Sequence, residues 1–153
     1  MEQKTKVHVE EGKQEIVVTR EFDLPISLLF KAYVEAQFVE QWMGTTVLQL
    51  DAKKHGAFQF ETCDKDGNVI LRSHGVIHDI IENKSIIRTF EMENTPFPVQ
   101  LEYLDFEALN DDKSCLTMKV IYKSQQVRDE ILKLPFVFGI NMAHNKLEKL
   151  FKN

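Results

Sequence analysis

Apolar residues along this chain keep two different periods, and the order of the periods predicts the architecture. From Glu15 to Asp23, Ile16, Val18 and Phe22 share one parity, the period-two signature of a half-buried strand. Directly afterwards Ile26, Leu29, Phe30, Tyr33 and Val34 recur at three and four, which gives a helix one apolar face. Phe38, Val39 and Trp42 continue that stripe through a second short helical turn over Glu35–Trp42 until Gly44 stops it. Pro25 is expected in the first turn, where its missing N–H costs nothing, with Asp23 as a capping group near the positive end of the dipole.

The period returns to two between Thr45 and Lys123. Strands are expected over Thr46–Leu50, Ala57–Cys63, Val69–Glu82, Ser85–Glu93, Pro98–Leu109 and Ser114–Lys123. The polar connections Asp64–Asn68, Glu82–Lys84 and Asn110–Lys113 are too short for parallel crossovers, so the strands should form an antiparallel meander. Helical spacing resumes in Gln125–Phe151 through Val127, Ile131, Leu134, Phe138, Ile140, Ala143, Leu147 and Leu150. Pro135 should kink this segment or divide it into a leading piece and a main piece from Phe136 onward, and Gly139 marks an exposed or closely packed backbone position. The order predicts an α+β fold: a seven-stranded curved antiparallel sheet, two short helices after strand one, and a long C-terminal helix held against the sheet. Residues 1–14 are a polar tail or a short extra strand around Thr5–Val9, and residues 15–153 are expected to form a single domain.

Composition narrows the function classes. The 153 residues suit one domain, and 43% hydrophobic with 28% charged residues is ordinary for a soluble protein. No apolar run approaches the roughly 20 residues that span a bilayer, so no membrane association is expected. A net charge of −5 without a Lys/Arg stripe argues against nucleic acid and anionic lipid surfaces as partners. Cys63 and Cys115 read as small, inert buried strand residues, and the polar N-terminus lacks the apolar stretch of a signal peptide, so a cytoplasmic location is expected.

Standard chemistry is sparse. The six glycines are isolated, so neither a dinucleotide fingerprint nor a Walker loop can be written, and no cofactor is expected. His74 and His78 are the one histidine pair at ligand-like spacing, but on a strand they stand about 13 Å apart, too far for one ion, so no metal site is expected. No serine has the context of an activated nucleophile. Arg72, His74, Arg88, Glu102 and Tyr122 are polar groups embedded in apolar strands. Alternation can turn each to solvent, and Gly75 could be a bulge that flips the phase midway. At least one should face inward, since ligand pockets combine apolar walls with a few polar anchors. The apolar residues placed around such a space are Trp42, Phe58, Phe60, Phe90, Phe106, Met118, Phe136 and Ile140, and with His74 and Arg88 they form the candidate ligand-binding set. The alternative is that they fill a solid core.

Several of these stretches also carry a resemblance. Val18-Thr19-Arg20-Glu21-Phe22-Asp23-Leu24-Pro25 leading into the first helix, Gln41-Trp42-Met43-Gly44, His55-Gly56-Ala57-Phe58 and His74-Gly75-Val76-Ile77 resemble the activator-of-heat-shock-protein-90-ATPase-like family, within the START (SRPBCC) and birch-pollen-allergen superfamily. His55 replaces the first glycine of a Gly-Gly-x-Phe strand start, Glu35-Ala36-Gln37 replaces an Asp-Pro turn, and Pro135 stands where a glycine is usual. The resemblance implies a helix-grip fold with an internal hydrophobic pocket. Relatives include lipid carriers, polyketide cyclases and a co-chaperone domain, so three functions follow as expectations. The first is binding of a hydrophobic or aromatic small molecule between sheet and closing helix. The second is a chaperone-interaction module, and the third, ranked last, is a cyclase-like or aromatase-like enzyme. A monomer or weak homodimer is expected.

Overall fold

Antiparallel pairing runs unbroken through eight strands in a computed structural model that describes residues 4–152. Residues 1–3 of the polar N-terminal segment and residue 153 lie outside them. In chain order the elements are β1 Lys6–His8, β2 Glu15–Phe22, α1 Ile26–Val34, α2 Ala36–Met43, β3 Thr46–Leu50, β4 Ala57–Cys63, β5 Val69–Ile81, β6 Ser85–Met92, β7 Gln100–Ala108, β8 Ser114–Ile121, α3 Gln125–Leu132 and α4 Phe136–Lys149. The sheet order is β1-β2-β8-β7-β6-β5-β4-β3, so β2 closes on β8 and the two edges are β1 and β3.

The expected seven strands are therefore eight, and the first helical pair follows the second strand. The additional strand is β1, whose register sets Lys6 opposite Thr19 and His8 opposite Val17. Three residues with one half-buried valine between exposed neighbours are too short an alternation to declare a strand by pattern alone. Of the two outcomes expected at Pro135, a kink or a division, the closing segment shows the division into two helices. Ser124 caps α3 by accepting the Val127 N–H at 3.2 Å, α3 ends at Leu132, and Pro135 is the residue from which α4 begins.

Pro25 precedes α1 as its N-cap, with φ −57° and ψ 148°, and no side chain among the described residues caps this helix. Asp23 serves elsewhere: its N–H donates to Glu148 at 3.0 Å and its carboxylate lies 3.7 Å from Lys113. The residue before a proline is driven to extended backbone, and here that residue, Leu24, goes into the core and carries the chain away from a capping geometry. Glu35, extended at φ −106° and ψ 123°, separates α1 from α2, and Gly44 ends α2 in the left-handed region at φ 64°.

Gly75 is not a bulge. It shares the inward parity of Ser73 and Ile77, and a Cβ there would collide with the Thr89 carbonyl oxygen and the Phe58 ring. The register shift falls three residues later, between Ile77 and Asp79, after which Ile80 packs on the core. Cys63 is exposed at the end of β4, against the expectation of burial, while Cys115 is half-buried.

On the face covered by the helices, strand register lines up side chains in rows. Ile77, Arg88, Glu102, Val120 and Ile16 follow one another across β5, β6, β7, β8 and β2, and Ile86, Leu104, Met118 and Val18 form the adjacent row. The second row is apolar throughout, whereas the first carries a guanidinium and a carboxylate in the middle of the sheet. α4 closes over this face, and its buried Asn141, His144 and Glu148 meet the N-terminal segment and β2.

Candidate ligand cavity between sheet and closing helix

The sheet and α4 do not fill the space between them. A compartment of about 250 Å³ is bounded by Tyr33 and Trp42 from the first helical pair, by Arg88, Glu102 and Met118 from the sheet, and by Ile140, Ala143 and His144 from α4. A second compartment of about 280 Å³ lies under the α3–α4 junction, against Met92, Tyr122, Ile131, Leu134 and Pro135. Phe90, Gln100 and Phe136 border both. Volumes of this order suit a small organic molecule.

Six residues of the sequence-derived set border the first compartment: Trp42, Arg88, Phe90, Met118, Phe136 and Ile140. The other four lie elsewhere. Phe58 and Phe60 are buried on β4, with ring centroids 5.1 Å apart, and Phe58 lies beneath the Arg88 guanidinium. Phe106 packs edge-on against Phe30 and Tyr33 at 5.2 and 5.6 Å. His74 is on the outer face of β5, between Glu91 at 3.5 Å and Glu93 at 3.0 Å, because Gly75 takes the inward parity at that point of the strand. Arg72 is likewise outward, paired with Glu61 at 2.8 Å.

The polar groups of the cavity are answered largely by one another. Arg88 Nε donates to Glu102 at 2.8 Å with both side chains nearly buried, and the second Glu102 oxygen accepts from Gln100 at 2.7 Å. The guanidinium also lies over the Phe58 ring at 5.4 Å and the Tyr33 ring at 6.0 Å. Burial, opposed in part by Arg88, holds the Tyr33 phenol above its ordinary pKa, and burial together with Glu102 does the same for Tyr122. Both phenols therefore stay neutral. Trp42 donates its indole N–H to the Ala32 carbonyl at 2.7 Å, which fixes the ring as a wall and joins α2 to α1.

Beside the cavity, a polar network ties α4 to the chain's beginning. Arg20, fully buried on β2, donates to Thr5 at 3.1 Å and to Asn145 at 2.9 Å, and lies 3.6 Å from Glu148. Thr5 donates its backbone N–H to Asn141 at 3.1 Å, and its hydroxyl lies 2.9 Å from His144 Nδ1. Sequence reasoning noted Arg20 only within a stretch that carries the resemblance and did not single out His144, although Arg20 shares the inward parity of Ile16, Val18 and Phe22, and His144 falls one helical turn after Ile140. A larger groove of about 470 Å³ runs outside this network, between the Lys4, Lys6, Lys113 and Arg20 cations and the Glu21, Asp23 and Glu148 carboxylates. Its walls are charged and mixed in sign, unlike the sheet–helix cavity.

Among the described residues, no three His, Cys, Asp or Glu side chains converge as a metal-binding group, and no helix is long and apolar enough to cross a membrane.

An open antiparallel sheet closed by a C-terminal helix is a helix-grip architecture. Within that class the chain belongs to the Activator of Hsp90 ATPase homolog 1-like family, which it matches over residues 23–152. No curated protein matches the sequence. Among solved structures, protein Ms6760 from Mycobacterium smegmatis is similar with a TM-score of 0.84 at 21% identity, over 97% of this chain and 96% of that one. A protein from Rhodobacter sphaeroides is similar with a TM-score of 0.83 at 14% identity, over 94% and 95% of the two chains. A protein from Staphylococcus epidermidis is similar with a TM-score of 0.79 at 22% identity, over 93% and 92%. Identities this low speak for the fold alone.

Proposed function

We propose that the protein binds a small, uncharged, hydrophobic or aromatic molecule between its sheet and α4. The observation that supports this reading is a cavity with apolar walls whose one ion pair, Arg88–Glu102, is internally neutralised. Affinity comes from burial of apolar area at roughly 25 cal/mol per Å², with a few fixed polar groups setting orientation. Access is at the α3–α4 junction, where Pro135 interrupts the helix and Leu134 and Phe138 are exposed beside Phe136.

Titration with the neutral fluorophore N-phenyl-1-naphthylamine tests this. The folded protein is expected to take it up saturably with no change in far-UV circular dichroism, and Met118→Ala or Phe136→Ala is expected to weaken uptake about ten-fold. A linear, unsaturable response from folded protein ends the proposal.

A second reading, a chaperone-interaction module, draws on the exposed apolar side chains Leu134, Val137 and Phe138 around the start of α4. Phe138 is 66% exposed, an unusual placement for a large apolar residue. Phe138→Glu separates the two readings: it should abolish co-purification with a chaperone if the patch is an interface, and leave fluorophore affinity within about two-fold if the cavity is the site.

A further inference from the structure

His144 has a buried ring nitrogen, Nε2, with no hydrogen-bond partner among the described residues. The residue is fully buried on α4 and borders the first compartment. Its Nδ1 lies 2.9 Å from the Thr5 hydroxyl, and the same hydroxyl receives Arg20 Nη1 at 3.1 Å. A guanidinium only donates, so Thr5 accepts from Arg20 and has its own single hydrogen left to give to Nδ1. The opposite tautomer would leave that hydroxyl hydrogen, itself buried, without an acceptor. The satisfied arrangement puts the ring proton on Nε2. Among the described residues the buried polar side-chain atoms without a hydrogen-bond partner are His144 Nε2 and two nitrogens of Arg20, and Arg20 borders the outer groove instead of this compartment. Burial and then the charge of Arg20 lower the His144 pKa to about 3, so the ring is a neutral donor, not a cation, at ordinary pH.

A buried donor left unpaired destabilises the empty protein, and a ligand that supplies the missing acceptor removes that deficit. We propose that the cavity is specific for a neutral, largely apolar molecule bearing a carbonyl-type or ether-type oxygen, seated so that the oxygen accepts the Nε2–H of His144. This rests on the small-molecule reading above and adds the chemistry that chooses among apolar ligands. Neutrality follows from Arg88 and Glu102, each already answered by the other, with the second Glu102 oxygen taken by Gln100. Apolar character follows from Trp42, Met118 and Ile140, which line the same compartment as His144.

Two rigid probes of nearly the same shape test it: 9-fluorenone, which has the oxygen, and fluorene, which lacks it. Each is titrated into the full chain by displacement of N-phenyl-1-naphthylamine. Both should bind, with fluorenone tighter by about ten-fold or more. His144→Phe keeps an aromatic ring beside Phe22 and Trp42 and should bring the ratio to about one. Two measurements on the unmodified protein keep the test decisive if that variant fails to fold. The carbonyl stretch of bound fluorenone should move to lower frequency than in hexane, and the ¹⁵N spectrum of His144 should show Nε2 protonated and Nδ1 bare. Equal affinity for the two probes, or a bare Nε2, overturns the inference and leaves the cavity reading standing. Displacement by neither probe overturns both.

Discussion

At the scale of single residues, the cavity depends on charges that the sheet cannot leave unpaired. Arg88 and Glu102 face each other across β6 and β7, and each is desolvated on the assumption that the other is present. Glu102→Leu should therefore destabilise the protein by about 3–5 kcal/mol in urea unfolding, because a buried guanidinium is left behind. Adding Arg88→Met to that variant should restore most of the loss. A double variant as unstable as the single one would mean that the pair itself, beyond mutual neutralisation, holds the sheet together. Parity makes part of this legible, since Glu102 alternates with Leu104 and Phe106 and so belongs to the inner face. What parity cannot supply is the partner, which register alone decides across the β6–β7 hairpin. His144 has the same limitation: its place on the apolar stripe of α4 is visible, but its tautomer is set by Thr5, 139 residues earlier in the chain. His55 shows the opposite case, a residue whose local role can be read directly. It adopts φ 67° at the turn where the resemblance places a glycine, so the strained backbone is kept while the side chain that suits it best is absent.

At the scale of elements, strands and helices differ in how they are fixed. The seven strands from β2 to β8 stand within a few residues of where alternation puts them, because burial on one face imposes a period that any reader can count. Helix ends depend instead on individual hydrogen bonds, which is why Asp23 is a poor guide to the start of α1. By contrast α3 has a built cap in Ser124 and lies on the boundary of the second compartment through Ile131. Ser124→Ala should cost about 1 kcal/mol and raise amide exchange over residues 125–132 more than in the sheet. Uniform exchange across the chain after this substitution would show that tertiary packing and not the cap holds α3. Division of the C-terminal segment at Pro135 follows from the proline's missing donor and was legible, whereas β1 was legible only as one of two alternatives, a tail or a short strand around Thr5–Val9, since three residues of weak alternation pair only because β2 offers an unpaired edge.

At the scale of the whole molecule, the closing helix, the N-terminal segment and the cavity meet at His144, and acid should act on all three together. Facing the ring's surroundings are Arg20 from β2, Glu148 from α4 and Lys4 from the N-terminal segment, with Arg20 the charge that opposes protonation. In the folded protein burial and the Arg20 charge lower the His144 pKa to about 3 from an ordinary value of 6.5. Above 6.5 the imidazole is neutral in both folded and unfolded chains and contributes no pH dependence. Below it the unfolded chain takes up a proton that the folded one refuses, so stability is lost as pH falls, by about 1.4 kcal/mol per pH unit between roughly pH 6 and 4. Carboxylates add their own slope in that range, so the comparison is with His144→Phe, whose unfolding free energy should fall less steeply by that amount. Parallel slopes would mean that the ring is protonated within the folded state and that its burial is relieved by movement of α4. Protonation would also put a second cation beside Arg20 and convert Nδ1 from an acceptor to a donor facing Thr5, breaking the tie between the N-terminal segment and α4. The helix that closes the cavity should thus loosen at the same pH at which the fold weakens. Release of N-phenyl-1-naphthylamine in step with unfolding, with no separate earlier transition, is the expected record of that coupling.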